Sequence, residues 1–339
     1  MRVIFPIHFD HFSGLPLIQK KIFNLVGLDN KKLFFLLPEN FQTSNFKLFY
    51  QLYGYLRLVL VLFFNRNAIV VSPAGSISLI CILSKIISRC KIVHIIHVAN
   101  FTEFSGIKRQ LFLWVMSCVD QIVTISHEME KDLRISLGDD LPIVTIYNPV
   151  FTKLPESLPN LRKRKKSPVK IVSLGRFVHQ KDYPILLEAL KLLKDKLVFE
   201  CEIYGEGHLE DELIQFNKSL GLDNHVKFCG VTNQPLEVLK NADCFVLHSR
   251  YEGLPTALIE ALAYCPRLVS FDIRTGPSEI LDGPEMSNFL IKDRTAESLA
   301  SGILLSLANP VVPLEERNLS RFAACTVKSS YDKILADLV

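Results

Sequence analysis

The sequence predicts an α/β protein made of two domains, each with a parallel sheet. Short apolar runs, typical of buried parallel strands, alternate along the chain with longer segments of helical period. With 339 residues, the chain is long enough for two domains that each have their own core. Residues 151–168 interrupt the alternation with prolines and the basic run R-K-R-K-K, so a linker is expected there.

Apolar runs rich in β-branched and aromatic residues predict strands on both sides of this linker. In chain order the expected strands are Val3–Ile7, Leu33–Leu37, Ala68–Ser72, Ile92–Ile96, Gln121–Ile125, Ile143–Ile146, Val169–Leu174, Phe199–Tyr204, Val226–Cys229, Cys244–Leu247 and Leu268–Phe271. The first domain is therefore expected over residues 1–150 and the second over residues 169–312.

Charge is distributed unevenly. Residues 1–166 carry 21 lysines and arginines against 11 acids, and residues 167–339 carry 18 against 24, within a net charge of +4. A basic and apolar first half suits an anionic membrane surface or a lipid pyrophosphate. Nucleic acid is not expected as a partner, because no binding motif accompanies the charge. The run at 162–166 is expected either to contact anionic lipid or to keep a solvated linker soluble.

The longest apolar stretch runs from Phe46 to Phe64 and contains Lys47, Gln51 and Arg57. Because a membrane span needs about twenty mostly apolar residues, a buried or membrane-grazing helix is expected instead. The apolar run at the amino terminus is too short for a signal peptide. Scattered cysteines without a C-x-x-C motif are typical of buried thiols in a reducing compartment. The expected location is cytoplasmic, peripheral on the inner face of the plasma membrane.

The segment Y-E-G-L-P-T-A-L-I-E-A-L-A contains two glutamates, Glu252 and Glu260, with seven residues between them. The run A-D-C-F-V-L-H before it predicts a strand, and Thr256 is expected to cap the helix that follows. Glu252 then lies on a loop at the carboxyl end of a strand, the edge where open α/β sheets bind ligands. There it can accept hydrogen bonds from sugar hydroxyls, while Glu260 can hold a ribose. A surface acid followed by a solvated helix acid would have the same pattern.

A second cluster follows the strand Val169–Leu174. Gly175 permits a tight exit from the strand, and Arg176 and Lys181 come next, five residues apart. Two fixed cations at this edge would stabilise a diphosphate as it departs with growing negative charge. The alternative is a pair of ordinary exposed basic residues.

In this order, the segments resemble the motifs of retaining, nucleotide-sugar-dependent glycosyltransferases of the family-4 type. Glu252 and Glu260 match the E-G-x-P-x-x-x-x-E-A-x-A element, and Arg176 and Lys181 match G-R-x-x-x-x-K. The run R-T-G-P-S-E-I-L at 274–281 resembles T-G-P-x-E-I-L of bacterial surface-polysaccharide transferases. The resemblance implies the GT-B fold, in which two Rossmann-like domains with parallel sheets face a central cleft, with residues from about 313 to 339 crossing back onto the first domain.

The resemblance also implies roles for single residues. Gly205 and Gly207 correspond to a loop near the nucleotide, with His208 in place of the usual proline. Gly14 is the one glycine left of a glycine-rich turn near the donor phosphate, and His97 corresponds to a strand-end histidine near the transferred sugar.

Together, these inferences define the expected site. The expected catalytic residues are Glu252, His97, Arg176 and Lys181. The expected substrate-binding residues are Gly14, Gly175, Arg176, Lys181, Gly205, Gly207, Glu252, Gly253, Leu254, Pro255 and Glu260. No D-x-D motif follows a strand, and the resemblance implies a metal-independent enzyme with no cofactor besides its donor.

The expected reaction moves a hexose or N-acetylhexosamine from a nucleoside diphosphate, UDP rather than GDP, to a glycan acceptor that a polyprenyl diphosphate could carry. Two alternatives remain at this point. One is a non-hydrolysing sugar-nucleotide 2-epimerase on the same fold, which would need further acids and histidines to move a proton. The other is a non-catalytic subunit that binds a sugar nucleotide. An assay without acceptor separates the epimerase from the transferase.

Overall fold

The chain divides into two compact units in a computed structural model. The structure describes residues 2–7, 14–27, 31–36, 47–73, 75–97, 105–158 and 168–339. The first unit comprises Met1–Thr152 with Arg321–Val339, and the second comprises Lys153–Ser320. The basic run at residues 162–166, expected to contact lipid or to form a solvated linker, lies outside the described residues.

The first unit contains a six-stranded parallel sheet with the order β2-β1-β3-β4-β5-β6. Its strands are β1 Val3–Ile7, β2 Lys31–Phe35, β3 Ile69–Ser72, β4 Lys91–Ile96, β5 Gln121–Thr124 and β6 Ile143–Thr145. Its first five helices are α1 Gly14–Leu25, α2 Lys47–Phe64, α3 Gly75–Ser88, α4 Gly106–Cys118 and α5 His127–Leu137. Because parallel crossovers are right-handed, this strand order puts α1 on one face of the sheet and α2 to α5 on the other.

The second unit contains another six-stranded parallel sheet, with the order β12-β11-β10-β7-β8-β9. Its strands are β7 Val169–Leu174, β8 Phe199–Tyr204, β9 Val226–Phe228, β10 Cys244–Leu247, β11 Leu268–Phe271 and β12 Leu290–Ile291. Its helices are α6 Tyr183–Leu193, α7 Glu210–Ser219, α8 Pro235–Lys240, α9 Thr256–Tyr264, α10 Pro277–Ile280 and α11 Ala296–Ala308. The predicted α/β class with two parallel sheets is confirmed.

A last helix, α12 Ala324–Asp337, returns to the first unit and packs on α1. Asp332 accepts a hydrogen bond from the backbone N–H of Gly27 at 3.1 Å. Residues 313–320 stay with the second unit, where Arg317 is buried. Its guanidinium donates to the carbonyl oxygens of Leu262, Cys265 and Pro266 at 2.7–2.8 Å, so it satisfies carbonyls where α9 ends.

Helix α2 accounts for the longest apolar stretch of the sequence. It buries Gly54, Leu58 and Leu62, which lie four residues apart, whereas the opposite side of the helix is exposed. Over the ranges that the structure describes, no helix is both long and apolar enough to cross a bilayer.

Candidate active site

The strand order of the second unit defines the place where a ligand is expected. Strands β7 and β10 are neighbours, with Cys244 paired to Ile171, although the chain continues from β7 to β8 on one side and from β10 to β11 on the other. Such a switch point opens a crevice at the carboxyl ends of the two strands. Residues 175–182 leave β7 there, and residues 248–255 leave β10 there.

Lys181 and Glu252 meet at this switch point. The Nζ atom of Lys181 lies 2.5 Å from Oε1 of Glu252, and the two side chains are only 17% and 10% exposed. The Ser249 hydroxyl donates to the same Oε1 at 2.6 Å, and the Gln180 amide lies 3.4 Å from Oε2. Two residues that the sequence places on separate loops therefore form one partly desolvated ion pair.

A buried histidine holds the backbone of Lys181. The Nδ1 atom of His248 lies 2.5 Å from the Lys181 carbonyl oxygen, and Nε2 lies 2.8 Å from the Ser173 hydroxyl. Because a carbonyl only accepts, Nδ1 carries the proton and Nε2 accepts from the serine. Burial lowers the pKa of His248 to about 4, so the ring is neutral at physiological pH.

A second ion cluster ties the same loops together. Asp182 is buried and has a left-handed backbone with φ of 53°. Its carboxylate accepts from Arg250 at 3.1 Å and from Arg294 at 2.5 Å. Arg294 also donates to the backbone oxygens of His248 and Ser249 at 2.9 and 2.7 Å. Arg294 and Asp182 thus connect the loops that follow β7 and β10.

Arg176 is exposed and, unlike Arg250 and Arg294, is not paired with Asp182. It makes no side-chain hydrogen bond or ion pair with any other residue of the described ranges. The neighbouring Gly175 accepts a hydrogen bond at its carbonyl from the Tyr183 hydroxyl at 2.7 Å. A methyl group on Gly175 would lie 3.2 Å from that hydroxyl and 3.3 Å from Cε of Lys181, so the glycine allows close packing of the loop.

Gly205 and Gly207 pack directly beneath this loop. A methyl group on Gly205 would overlap the carbonyl oxygen of Gly175, and one on Gly207 would overlap that of Phe177. The Phe177 N–H also donates to the Glu206 carbonyl at 2.8 Å. The spacing G-x-G is therefore explained by backbone contact between the two loops, and contact with a nucleotide stays a prediction.

The E-G-L-P loop is buried and supported from β11. Gly253, Leu254 and Pro255 are all buried, and the Thr275 hydroxyl donates to the backbone oxygen of Glu252. Gly276, with φ of 97°, packs against the ring of Pro255. Thr275 and Gly276 of the T-G-P element therefore support the conformation of the loop that carries Glu252.

The expectation that Thr256 caps α9 is wrong. Thr256 is the first helical residue, and Pro255 precedes it as the N-cap with φ of −70°. Proline has no side-chain acceptor, so no side-chain cap forms. Glu260 lies one turn into α9 and is partly exposed, and its predicted role as the ribose ligand stays a prediction.

His97 lies in the first unit, directly after β4. Burial lowers its pKa to about 3, and neither ring nitrogen has a hydrogen-bond partner among the residues described. His94, three residues earlier, does have one, because its Nδ1 lies 2.8 Å from the Ser78 hydroxyl. Among the described residues, His97 thus differs from His94 in that its two buried ring nitrogens have no hydrogen-bond partner.

Gly14 is the first residue of α1, and the loop before it lies outside the described residues. The prediction for Gly14 therefore remains untested. In the ranges that the structure covers, no group of three side chains is arranged to hold a metal ion.

Sequence reasoning missed Ser249, His248, Thr275, Asp182 and Arg294. Ser249 and His248 directly precede the segment that contains Glu252, and Thr275 lies within the T-G-P element, so the sequence motifs could have indicated all three. Asp182 directly follows Lys181, but no local pattern links it to Arg294, which reaches the site from 112 residues away.

Comparison with known proteins agrees with this architecture. Residues 156–323 match the family model "Glycosyl transferases group 1", so this part of the chain is a glycosyl transferases group 1 domain. The Anabaena protein HepE, solved in complex with UDP and glucose, superposes with a TM-score of 0.78 at 16% identity, covering 99% of this chain and 100% of HepE. The shared architecture is the GT-B fold.

Two curated relatives align over part of the chain. Staphylococcus aureus poly(ribitol-phosphate) alpha-N-acetylglucosaminyltransferase is 25% identical over 66% of this chain and 44% of its own length. Campylobacter jejuni N-acetylgalactosamine-N,N'-diacetylbacillosaminyl-diphospho-undecaprenol 4-alpha-N-acetylgalactosaminyltransferase is 29% identical over 48% of this chain and 43% of its own length. The alignments thus span less than half the length of either relative.

Proposed function

We propose that the chain is a retaining glycosyltransferase of the family-4 type. It would move a hexose or N-acetylhexosamine from a UDP-linked donor to a glycan acceptor during assembly of bacterial capsule, O-antigen or exopolysaccharide. The observation that carries the proposal is the Lys181–Glu252 pair at the switch point of a glycosyl transferases group 1 domain. HepE, which was solved with UDP and glucose, supports the expectation of a UDP-linked donor.

The cations of this site suit a departing diphosphate. Exposed Arg176 has its guanidinium available for a bidentate contact with phosphate oxygens. Lys181 has three N–H donors, so it can keep Glu252 and also contact a phosphate. Two positive groups at the bond that breaks would do the work that a metal ion does in other transferases, so we propose a metal-independent reaction.

The carboxylates suit the sugar and the ribose. Glu252, held by Ser249 and Lys181, would accept hydrogen bonds from the hydroxyls of the transferred sugar. The backbone N–H groups of Gly253 and Leu254 would orient that sugar, and Glu260 would accept from the ribose. His97, whose neutral ring has no partner in the described ranges, would hydrogen-bond the sugar as well.

The chemical step that we propose is a front-face displacement. The bond between the anomeric carbon and the donor phosphate oxygen breaks while the acceptor oxygen bonds to the same face of that carbon. The acceptor hydroxyl gives its proton to the departing phosphate oxygen. This route retains the anomeric configuration without a covalent enzyme intermediate, and Arg176 and Lys181 offset the charge that develops on the leaving group.

The acceptor that we propose is a glycan on a polyprenyl diphosphate. The C. jejuni relative is named for an acceptor linked to diphospho-undecaprenol. The basic first half of the chain, +10 over residues 1–166, would suit such a lipid pyrophosphate. This acceptor would put the enzyme at the cytoplasmic face of the plasma membrane.

A donor screen tests the proposal. The purified chain is incubated with UDP- and GDP-sugars and a polyprenyl-diphosphate glycan extract, with and without EDTA, and released nucleotide and product linkage are followed. UDP release that depends on acceptor and survives EDTA, with an α-linked product from an α-linked donor, is the expected result. Loss of release in EDTA would contradict metal independence. Sugar interconversion without acceptor would indicate an epimerase, and donor binding without turnover across a wide acceptor panel would indicate a non-catalytic subunit.

A further inference from the structure

Helix α3 of the first unit buries three serines and exposes large aliphatic side chains. Its buried side carries Ile77 and Cys81 together with three serines. Ser78, Ser84 and Ser88 hydrogen-bond to His94 or to the helix backbone. Its outer side carries large aliphatic side chains instead, among them Leu83 and Ile86. A helix on the surface of a water-soluble domain normally has the opposite arrangement.

The helices on either side of α3 add to the same surface. Helix α3 packs against both α2 and α4. The exposed large apolar residues of the three helices are Leu52, Tyr53, Leu56, Leu60, Phe63, Phe64, Leu83, Ile86, Ile87, Ile107, Leu111 and Trp114. We call this set the three-helix surface. Large apolar side chains exposed together on adjoining helices are typical of an interaction site.

The charges on the three helices themselves have one sign. Helices α2, α3 and α4 contain no aspartate or glutamate. Over residues 40–119 the sequence has eight lysines and arginines against one acid, Glu103. Arg57, Lys108 and Arg109 are exposed on the helices themselves, and Lys85 is paired with Asp120.

We infer that the three-helix surface docks on a bilayer of anionic phospholipid. Exposed aliphatic side chains and Trp114 would enter the interface between head groups and acyl chains, and the surrounding cations would pair with lipid phosphates. A second copy of the chain fits less well, because a two-fold contact would set cations against cations with no carboxylate from these helices between them. This inference does not depend on the proposed reaction, since docking requires neither donor nor acceptor.

The only tryptophan of the sequence is Trp114, so the protein contains its own reporter. Vesicles of phosphatidylglycerol with phosphatidylethanolamine are titrated into the protein, with phosphatidylcholine vesicles in parallel. The expected result is co-sedimentation and a blue shift of Trp114 emission with the anionic vesicles alone. Binding should weaken strongly at about 0.5 M NaCl, because salt screens the charge contacts.

Variants distinguish binding through the three-helix surface from nonspecific adsorption of exposed apolar side chains. Phe64, Ile86 and Ile107 are 79–91% exposed, so their joint replacement by Gln should leave the fold intact. We expect vesicle affinity to fall at least about tenfold, because apolar area can no longer be buried. Replacing Lys108 and Arg109 together by Gln should weaken binding to anionic vesicles about 30-fold.

A matched control replaces Ile135, Val198 and Val231 by Gln. These side chains are also 63–77% exposed but lie outside the three-helix surface. The control variant should bind vesicles like the wild type. The inference is overturned if anionic vesicles fail to bind, or if both triple variants bind equally well. A concentration-dependent dimer without lipid that the Phe64, Ile86 and Ile107 replacement abolishes would also overturn it, in favour of self-association. Because each assay omits substrates, these outcomes are distinct from a failure of the donor screen.

Discussion

Lys181 and Glu252 are 71 positions apart in the chain, yet Nζ of the lysine lies 2.5 Å from Oε1 of the glutamate. The contact exists because β7 and β10 are neighbours in the sheet, so the loops that leave them share one edge. Glu252 fixes the position of the Lys181 ammonium, which has three N–H donors in all. Arg176 is then the exposed cation of this loop, whereas Lys181 is oriented by its carboxylate.

Removing either member of this pair should destabilise the second unit, because it leaves a largely buried charge alone. Lys181→Met and Glu252→Gln are each expected to cost about 3 kcal/mol in the free energy of unfolding, and the double variant less than their sum. Urea unfolding of the four proteins would measure the coupling, expected at roughly 1–3 kcal/mol. Glu252→Gln should also lower kcat about 100-fold if its charge acts on the sugar.

The pair Lys153–Glu156 is a suitable control, with a similar 2.8 Å distance but side chains that are 83% and 82% exposed. Lys153→Met and Glu156→Gln should show almost no coupling, because water screens exposed ion pairs. Equal coupling energies in the two cycles would contradict the view that partial burial makes the Lys181–Glu252 contact important.

Replacing Arg176 tests the diphosphate contact without disturbing the fold. Arg176→Gln should weaken UDP binding about tenfold by calorimetry, because it removes a charge-assisted hydrogen bond. The melting temperature should not change, since the side chain is exposed. Lys196→Gln is the matched control, because Lys196 is exposed in the same unit between α6 and β8, at the opposite edge of the sheet. Equal losses in both variants would point to overall charge rather than to a phosphate contact.

Stability should fall as the pH drops from about 6.5 towards 4. The unfolded chain protonates its histidines near pH 6.5, whereas burial lowers the pKa of His248 to about 4 in the folded protein. The unfolded state therefore binds more protons between these pH values. Each such histidine lowers the free energy of unfolding by about 2 kcal/mol at pH 5.

His248→Gln should flatten this pH dependence. Glutamine can still donate to the Lys181 carbonyl and accept from Ser173, but it has no proton to gain. Urea unfolding at pH 7 and pH 5 would show a smaller loss for the variant than for the wild type. The variant still loses some stability at low pH, because His94, with a pKa lowered to about 4, and His97 remain. An unchanged slope would mean that His248 is not neutral in the folded state.

The glycines under the Arg176 loop should not tolerate a side chain. Gly205→Ala and Gly207→Ala would each force a methyl group into a backbone carbonyl, so a loss of about 2 kcal/mol or more is expected in the free energy of unfolding. Gly75→Ala is the control, because nothing lies within 4 Å of that position and it begins a helix. Its effect should be neutral or slightly stabilising. Tolerance of alanine at both loop positions would refute the packing argument.

Sequence reasoning found the strands well because buried parallel strands are nearly continuous apolar runs. Five predicted strands, among them Val169–Leu174 and Cys244–Leu247, have the same bounds in the structure. Strand β12 was missed, since the two residues Leu290 and Ile291 are too few to show a pattern.

The site was predicted as separate pieces. Lys181 and Glu252 were each expected on a loop at a strand end, but their contact depends on strand order, which a pattern along the chain does not contain. The support from Arg294 was invisible for the same reason. The exposed aliphatic side of α3 was also missed, because a helix that is apolar on most positions does not reveal which side faces the sheet.

The return of α12 to the first unit has a consequence for the order of synthesis. The last strand of the first sheet is made by residue 145, but α12 follows only after all of Lys153–Ser320. At translation rates of about 5–20 residues per second, that interval lasts roughly 10–30 s. The whole second unit is therefore synthesised while the unit that began first still lacks α12.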